Sequence, residues 1–376
     1  MWSLLLLVAI WGGYALFGRR WRIAPMLPAG DAQRCRGRVV AVVPARNEAD
    51  ELPSTLPFLL KQSYNDLYIV LVDDHSSDGT GDVARRLAAE AGAAERLVVI
   101  SSPDLPAGWT GKVWAQQQGF EQAVALGADW VWFTDADIRH DSDVLERLLT
   151  AAEVQQRDFV SIMARLRCVT AFEKLLIPAF TYFFAGLYPF VPIGDDRSPQ
   201  AGAAGGCMLI RRSVMDRIGG MAVIRDAVID DVSLGRACKN IGARLWLGYH
   251  LGVTSTRGYP TLAAIWDMVA RSAYTQLDYN PLALFGCVAG LAFVFFVPIT
   301  AIIWGHRLIW FLGSVAYLAM TFTYRPMVNY LGCGNAWAFA LPLSAFLYTG
   351  MTVSSALRYY RGVRSAWKGR VYRTPS

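Results

Sequence analysis

Between Asp278 and Arg358 the only formal charges are Arg307 and Arg325. They divide the stretch into three apolar blocks, near Leu282 to Gly305, Leu308 to Tyr324 and Ala336 to Leu357. Each block is close to the roughly 20 residues that a bilayer-crossing helix needs. Three in succession would leave a soluble bundle no polar face for water, so 281–357 reads as a membrane region. Trp2 to Phe17 is also uncharged and runs straight into Gly18-Arg19-Arg20-Trp21-Arg22. Residues 1–22 therefore read as a transmembrane anchor. It is expected to be retained, because no basic residue precedes the apolar run and no small-x-small cleavage site follows it.

Basic residues beside apolar segments stay on the cytoplasmic side of a membrane. This rule places the intervening domain in the cytoplasm, together with a basic tail, 358–376, that carries Arg358, Arg361, Arg364, Lys368, Arg370 and Arg373. The expectation is a multi-pass protein of a bacterial-type inner (plasma) membrane. Three full crossings would leave the tail outside, so one block is expected to be re-entrant or interfacial, and the sequence does not say which. Pro342, Gly332 and Gly334 make the last block a candidate, because irregular backbone at membrane depth needs protein around it. The net charge of +6 sits largely in these flanks and indicates anionic lipid, and no nucleic-acid motif accompanies it. Cys35, Cys168, Cys207, Cys238, Cys287 and Cys333 show no C-x-x-C spacing, which argues for reduced packing residues over zinc or redox chemistry.

From residue 36 to 258 short β-branched runs alternate with helical patterns, the signature of an α/β fold with a mostly parallel sheet. Strand candidates are Val39 to Val43, Tyr68 to Val72, Leu97 to Ile100 and Trp130 to Phe133, with helical patterns from near Glu51, Thr80, Lys112 and Asp141. Phe172 to Val191, within 172–191, reads either as a helix on the membrane surface or as a buried core helix. The stretch 259–280 reads as an interfacial amphipathic helix. Ligands of such sheets bind beyond the carboxyl ends of the strands. Those ends read Pro44-Ala45-Arg46-Asn47-Glu48, Asp73-Asp74-His75-Ser76-Ser77-Asp78-Gly79-Thr80 and Thr134-Asp135-Ala136-Asp137. Neither G-x-G-x-x-G nor a P-loop is present, which argues against a dehydrogenase or a P-loop enzyme. Paired carboxylates such as Asp135 and Asp137 suit a hard divalent cation that keeps positions open for substrate phosphate; a solvated turn is the plainer alternative.

The three strand ends together resemble the family 2 glycosyltransferases. With Gly108-Trp109-Thr110-Gly111-Lys112, Ile229-Asp230-Asp231 and Trp367-Lys368-Gly369-Arg370-Val371-Tyr372, the chain looks most like the hopene-associated enzymes, relatives of the ceramide glucosyltransferases. The resemblance implies a GT-A type nucleotide-sugar-binding domain with transmembrane helices at both ends. It also implies inverting transfer from a nucleotide sugar, a UDP-sugar, to a hydroxyl of a membrane lipid such as a hopanoid. Pro44, Ala45 and Glu48 would line the nucleotide, and Asp74 would accept a hydrogen bond from the uracil ring. Lys112 would approach the phosphates. Asp135 and Asp137 would hold Mg²⁺ or Mn²⁺, with Asp137 the direct ligand.

Asp231 matches the general base, and its neighbour Asp230 stands where many relatives have Glu. Gly202-Ala203-Ala204-Gly205-Gly206 would let backbone approach the donor. The Gln/Arg-x-x-Arg-Trp pattern of ceramide-type and processive relatives is missing. That leaves Arg271 as the candidate diphosphate arginine and argues against polymer synthesis. The alternatives are a polyprenyl-phosphate sugar synthase, a ceramide or glycerolipid glycosyltransferase, and a scaffold or flippase with a degenerate nucleotide domain.

Overall fold

The computed structural model describes residues 1–18, 20–368 and 370–373, with the backbone course alone for 364–367 and 371–373. Arg19 of the N-terminal basic flank, Gly369 of the C-terminal motif and tail residues 374–376 lie outside the described residues.

The chain opens with α1 (Trp2–Phe17), β1 (Val39–Ala45), α2 (Leu52–Leu60), β2 (Leu67–Asp73), α3 (Thr80–Glu90), β3 (Leu97–Ser101), α4 (Gly111–Ala125) and β4 (Trp130–Phe133). It continues with β5 (Ile138–His140), α5 (Val144–Val154), β6 (Phe159–Arg165), α6 (Ala171–Leu187), α7 (Phe190–Ile193), β7 (Met208–Arg211), α8 (Arg212–Ile218), α9 (Asp230–Asn240) and β8 (Leu245–Ser255). The C-terminal part holds α10 (Leu262–Ala270), α11 (Pro281–Leu291), α12 (Val297–Trp304), α13 (Arg307–Tyr330), α14 (Leu341–Tyr360), β9 (Val363–Trp367) and β10 (Arg370–Arg373).

Eight strands form one sheet in the order β3-β2-β1-β4-β7-β6-β8-β5. The first four are mutually parallel, but β7 is antiparallel to both β4 and β6, and β5 is antiparallel to β8. The sheet is thus mixed where a mostly parallel one is expected. The reason is connectivity: β7 is reached through α6, α7 and a long loop, so the right-handed βαβ crossover that enforces parallel pairing does not apply to it.

Alternate residues of β1 serve the two faces. Val39, Ala41 and Val43 join Ile69, Leu71, Trp130 and Trp132 on one side. Val40 and Val42 join Val70, Val72, Val131 and Phe133 on the other, in a core that continues into the C-terminal helices. On this second face α4 rests directly on the sheet at Gly119, where an added Cβ would lie 2.2 Å from Val42 Cγ1. Gly119→Ala should therefore cost about 1–3 kcal/mol, the range for forcing volume into a packed core. A lowered Tm in detergent checks this, and an unchanged Tm would refute the close seating of α4.

Helix α6 begins with a capping box between Thr170 and Glu173. The buried Glu173 carboxylate also accepts the Val169 and Tyr259 amides at 2.8 and 2.7 Å. Burial raises its pKa, but these backbone donors outweigh burial and hold it below its ordinary value. The helix buries Leu176, Ile177 and Tyr182, and Ser344 and Tyr348 of α14 donate to its Leu175 and Leu176 carbonyls at 2.7 and 2.9 Å. It is the hinge of packing between the sheet domain and the C-terminal helices.

Among the described residues, two helical stretches are long and apolar enough to cross a membrane. They are Pro281–Trp304, with mean hydropathy 2.5, and Asn335–Tyr360, with 1.3. Both are near the C-terminus, not at both ends of the chain as expected, because α1 has 16 residues where a crossing takes roughly 20. The first stretch joins α11 to α12 through a π-turn at Ala292–Phe296. Helix α13 folds back along α12 after Gly305-His306, and at Gly313 an added Cβ would lie 2.8 Å from Ala301 Cβ. Pro342 falls in the first turn of α14, a position that tolerates proline.

Candidate active site

Strands β1, β2 and β4 run parallel, so their carboxyl ends open on one edge. Strand β7 is antiparallel to β4 with Met208 opposite Phe133, which brings Gly205 and Gly206, just before it, to the same edge. There Thr134 Oγ1 donates to the Gly206 carbonyl at 3.0 Å. Strand β8 places Ser255 opposite Ile138 of β5, and Arg257, two residues on, arrives beside Asp137. The edge is thus assembled from five separated stretches by strand register.

The carboxylates on it are held by cations and backbone amides. Lys112 Nζ, in the first turn of α4, lies 2.9 Å from Asp135 Oδ1 and 3.1 Å from Asp230 Oδ2. Arg257 bridges Asp137 Oδ2 at 2.7 Å and Glu48 Oε1 at 2.9 Å. Asp230 and Asp231 open α9, where the positive end of the helix dipole favours carboxylates. Asp231 Oδ2 accepts the Gly205 amide at 2.8 Å and its Oδ1 accepts the Val232 amide at 2.7 Å.

Crowding of charge shifts these groups. Burial, reinforced by Asp230, pushes Asp231 up to about 7 even though Lys112 and two amides pull it down. Burial raises Asp135 as well; Lys112 opposes that rise and Asp137 adds to it. Burial disfavours the charged forms of Lys112 and Arg257, yet Asp135 and Asp230 outweigh it for the lysine, and Asp137 and Glu48 for the arginine. Both cations end above their ordinary values.

Asp135 and Asp137 fit a hard divalent ion by donor chemistry: both ligands are oxygen, and both line the cavity described below. Among the described residues no group of three or more His, Cys, Asp or Glu could cage a metal alone. The arrangement therefore suits an ion that completes its shell with water and substrate phosphate. Lys112 and Arg257 now neutralise the same carboxylates.

Pro44, Glu48, Lys112, Asp135, Asp137, Asp230, Asp231 and Arg271 line one cavity of about 1410 Å³. Arg271, just past α10, makes no ion pair among the described residues. Ala45 and Asp74 do not line the cavity: both are buried at the sheet edge, and Asp74 is covered by Arg46 and Arg370, at 3.7 and 3.0 Å. Two site residues escape sequence reasoning. Arg257 follows a strand interrupted by Gly248 and Gly252, and its partner is chosen by long-range register. Lys368 reaches Glu48 Oε1 at 2.8 Å from the far end of the chain; its motif is visible in the sequence but its destination is not.

From the carboxylates the same cavity runs to Trp11 of α1, Phe183 of α6, Phe295 of the π-turn and Tyr348 of α14. Trp11 Nε1 donates to the Val294 carbonyl at 3.2 Å, using a carbonyl inside that π-turn. One end of the cavity is therefore acidic and the other aromatic.

The α/β domain, a mixed sheet with carboxylates gathered at one edge, is GT-A-like in its fold. Residues 40–219 match the family described as Glycosyl transferase family 2. An undecaprenyl-phosphate mannosyltransferase of Micrococcus luteus is 33% identical over 115 residues, 30% of this chain and 44% of that protein. A 4,4'-diaponeurosporenoate glycosyltransferase of Staphylococcus haemolyticus is 28% identical over 153 residues, 40% of this chain and 37% of that protein. The matches thus span less than half the length of either relative. The fold is similar to that of the mannosyltransferase PcManGT from Pyrobaculum calidifontis, solved in complex with GDP-Man and Mn²⁺. That likeness has a TM-score of 0.57 at 19% identity and covers 95% of this chain and 97% of the other.

Proposed function

We propose that the chain is a membrane-associated inverting glycosyltransferase that moves a sugar from a nucleoside-diphosphate sugar to a hydroxyl of a lipid. The observation that carries this reading is the single cavity that joins Asp135, Asp137 and Asp231 to the aromatic wall of α1, α6 and α14. A donor at the acidic end and an amphiphile along the aromatic end would meet at Asp231. As the acceptor oxygen attacks the anomeric carbon, its proton passes to Asp231. The new C–O bond forms as the bond to the diphosphate breaks, with the nucleoside diphosphate leaving from the opposite face. Lys112 and Arg257 lie where negative charge accumulates on the leaving group. Asp135 and Asp137 would hold Mg²⁺ or Mn²⁺, which when bound would offset charge on the diphosphate. A UDP-sugar fits a role for Asp74 in reading the base, and a hopanoid is the acceptor that the sequence resemblance implies.

The membrane region 281–357 would set the domain 36–258 on the cytoplasmic face of a bacterial inner membrane, with the basic flanks on that side. Purified protein incubated with a panel of nucleotide sugars and membrane lipids should yield lipid products heavier by one sugar, read by mass spectrometry. Sugar released only into water would overturn the proposal.

A phosphate acceptor is the second reading. It is favoured by Arg271, which lines the cavity without an ion pair among the described residues, and by the similarity to the M. luteus enzyme. A phosphate oxygen needs no strong base, so turnover that survives Asp231→Asn would select this reading.

A further inference from the structure

Lys368 and Arg370, of the motif that ends the sequence resemblance, have no role in the reaction proposed above, yet the fold delivers both to the donor edge. The β9–β10 hairpin, in which Arg370 pairs with Trp367, follows α14 and reaches back to the ends of β1 and β2. Lys368 Nζ sits 2.8 Å from Glu48 Oε1, and the Lys368 carbonyl accepts Arg46 Nε at 3.2 Å. Arg370 Nη2 lies 3.0 Å from Asp74 Oδ1.

The quality of the second contact matters more than its distance. Asp74 is fully buried, and among the described residues neither of its carboxylate oxygens takes part in a well-aligned hydrogen bond; Arg370 Nη1 is likewise buried without one. The pair cancels charge but leaves hydrogen-bonding capacity unused on both sides, the arrangement in which buried polar groups are least well served. A flat heterocycle with a ring N–H could give Asp74 the aligned bond that Arg370 does not, but it would need the space that Arg370 fills.

We propose that the C-terminal hairpin is a built-in competitor of the donor: Arg370 closes Asp74 and Lys368 holds Glu48 until a nucleoside diphosphate displaces both. This rests on the donor-site reading given above. The two contacts are on one hairpin, so they open together, and Asp74 and Glu48 are freed only as the nucleoside takes the place of Arg370 and Lys368. The hairpin is thus an autoinhibitory contact relieved by substrate.

Calorimetric titration of the full-length protein in detergent with UDP, and in parallel with GDP, tests this. Arg370→Ala and Lys368→Ala should bind the better of the two at least about tenfold more tightly than the unaltered chain. In the unaltered chain, addition of that nucleotide should speed tryptic cleavage after Lys368 and Arg370, a readout that needs no variant to fold. Equal or weaker binding by both variants, or a tail protected by nucleotide, would overturn the competitor role and leave the donor site standing. Binding of neither nucleotide to any of the three proteins would instead remove the donor-site reading, and the hairpin proposal with it.

Discussion

Asp231→Asn is expected to lower kcat by about 10²–10⁴-fold, the usual contribution of a positioned base, while nucleotide binding is retained. The expectation follows from position and charge together. Asp231 lines the cavity, its two oxygens are fixed by the Gly205 and Val232 amides, and burial with Asp230 beside it brings its pKa to about 7. The groups that face it are Asp230, Lys112 and Tyr188, the last itself pushed up to about 12 by burial and by Asp231. A base must be ionised to act, so the rate of the unaltered enzyme should climb as pH rises through 7 and level off above it.

Stability should move the other way. A carboxylate whose folded pKa is raised favours the fold while it is protonated, and that contribution is lost as pH rises through the folded value. Asn, like the protonated acid, carries no charge, but its amide nitrogen cannot accept the second backbone amide; the melting point of the variant relative to the unaltered protein should therefore be higher at pH 8 than at pH 5. Full turnover in Asp231→Asn, or melting curves displaced equally at both pH values, would remove Asp231 as the base.

What could be read from the sequence divides along physical lines. Strands β1, β2 and β4 announce themselves as apolar runs that stop at polar clusters, and a strand end is a local property. The carboxylates that follow, Asp74, Asp135 and Asp137, are therefore visible. Strand direction is not local: the reversal of β7 depends on where α6 and α7 pack, and the mixed sheet could not be foreseen from an alternating pattern. Arg257 shows the same limit, since only the pairing of Ser255 with Ile138 puts it on Asp137. Asp74 shows a different one. Its place at the end of β2 is evident, but its cover by Arg370 joins residues from opposite ends of the chain, and no spacing rule reports such a contact.

Lys112→Met should combine a loss of stability with a displaced pH profile. A lysine in the first turn of a helix has the wrong sign for the helix dipole, a penalty of about 0.3–1 kcal/mol, so Lys112 is held there by Asp135 and Asp230. Met keeps much of the length and the helix propensity and removes only the charge. Stripping one partner from a buried ion pair costs about 3–5 kcal/mol. Here Lys112, Asp135 and Asp230 retain 20%, 31% and 14% exposure, so water screens part of the repulsion left behind. After the dipole gain is subtracted, about 1–3 kcal/mol of destabilisation is expected at pH 8. The loss should shrink toward pH 5, where the crowded carboxylates can take up protons. Lys112 also lowers the pKa of Asp231, so without it the midpoint of the rate profile must move to higher pH. Turnover near neutrality then falls roughly tenfold for every pH unit that the midpoint climbs. Thermal melts at two pH values and a pH–rate curve measure both effects in one preparation. A variant that melts lower but keeps the midpoint of the wild-type rate curve would show that Lys112 holds the fold together without tuning the base, and the electrostatic coupling between α4 and α9 would have to be abandoned.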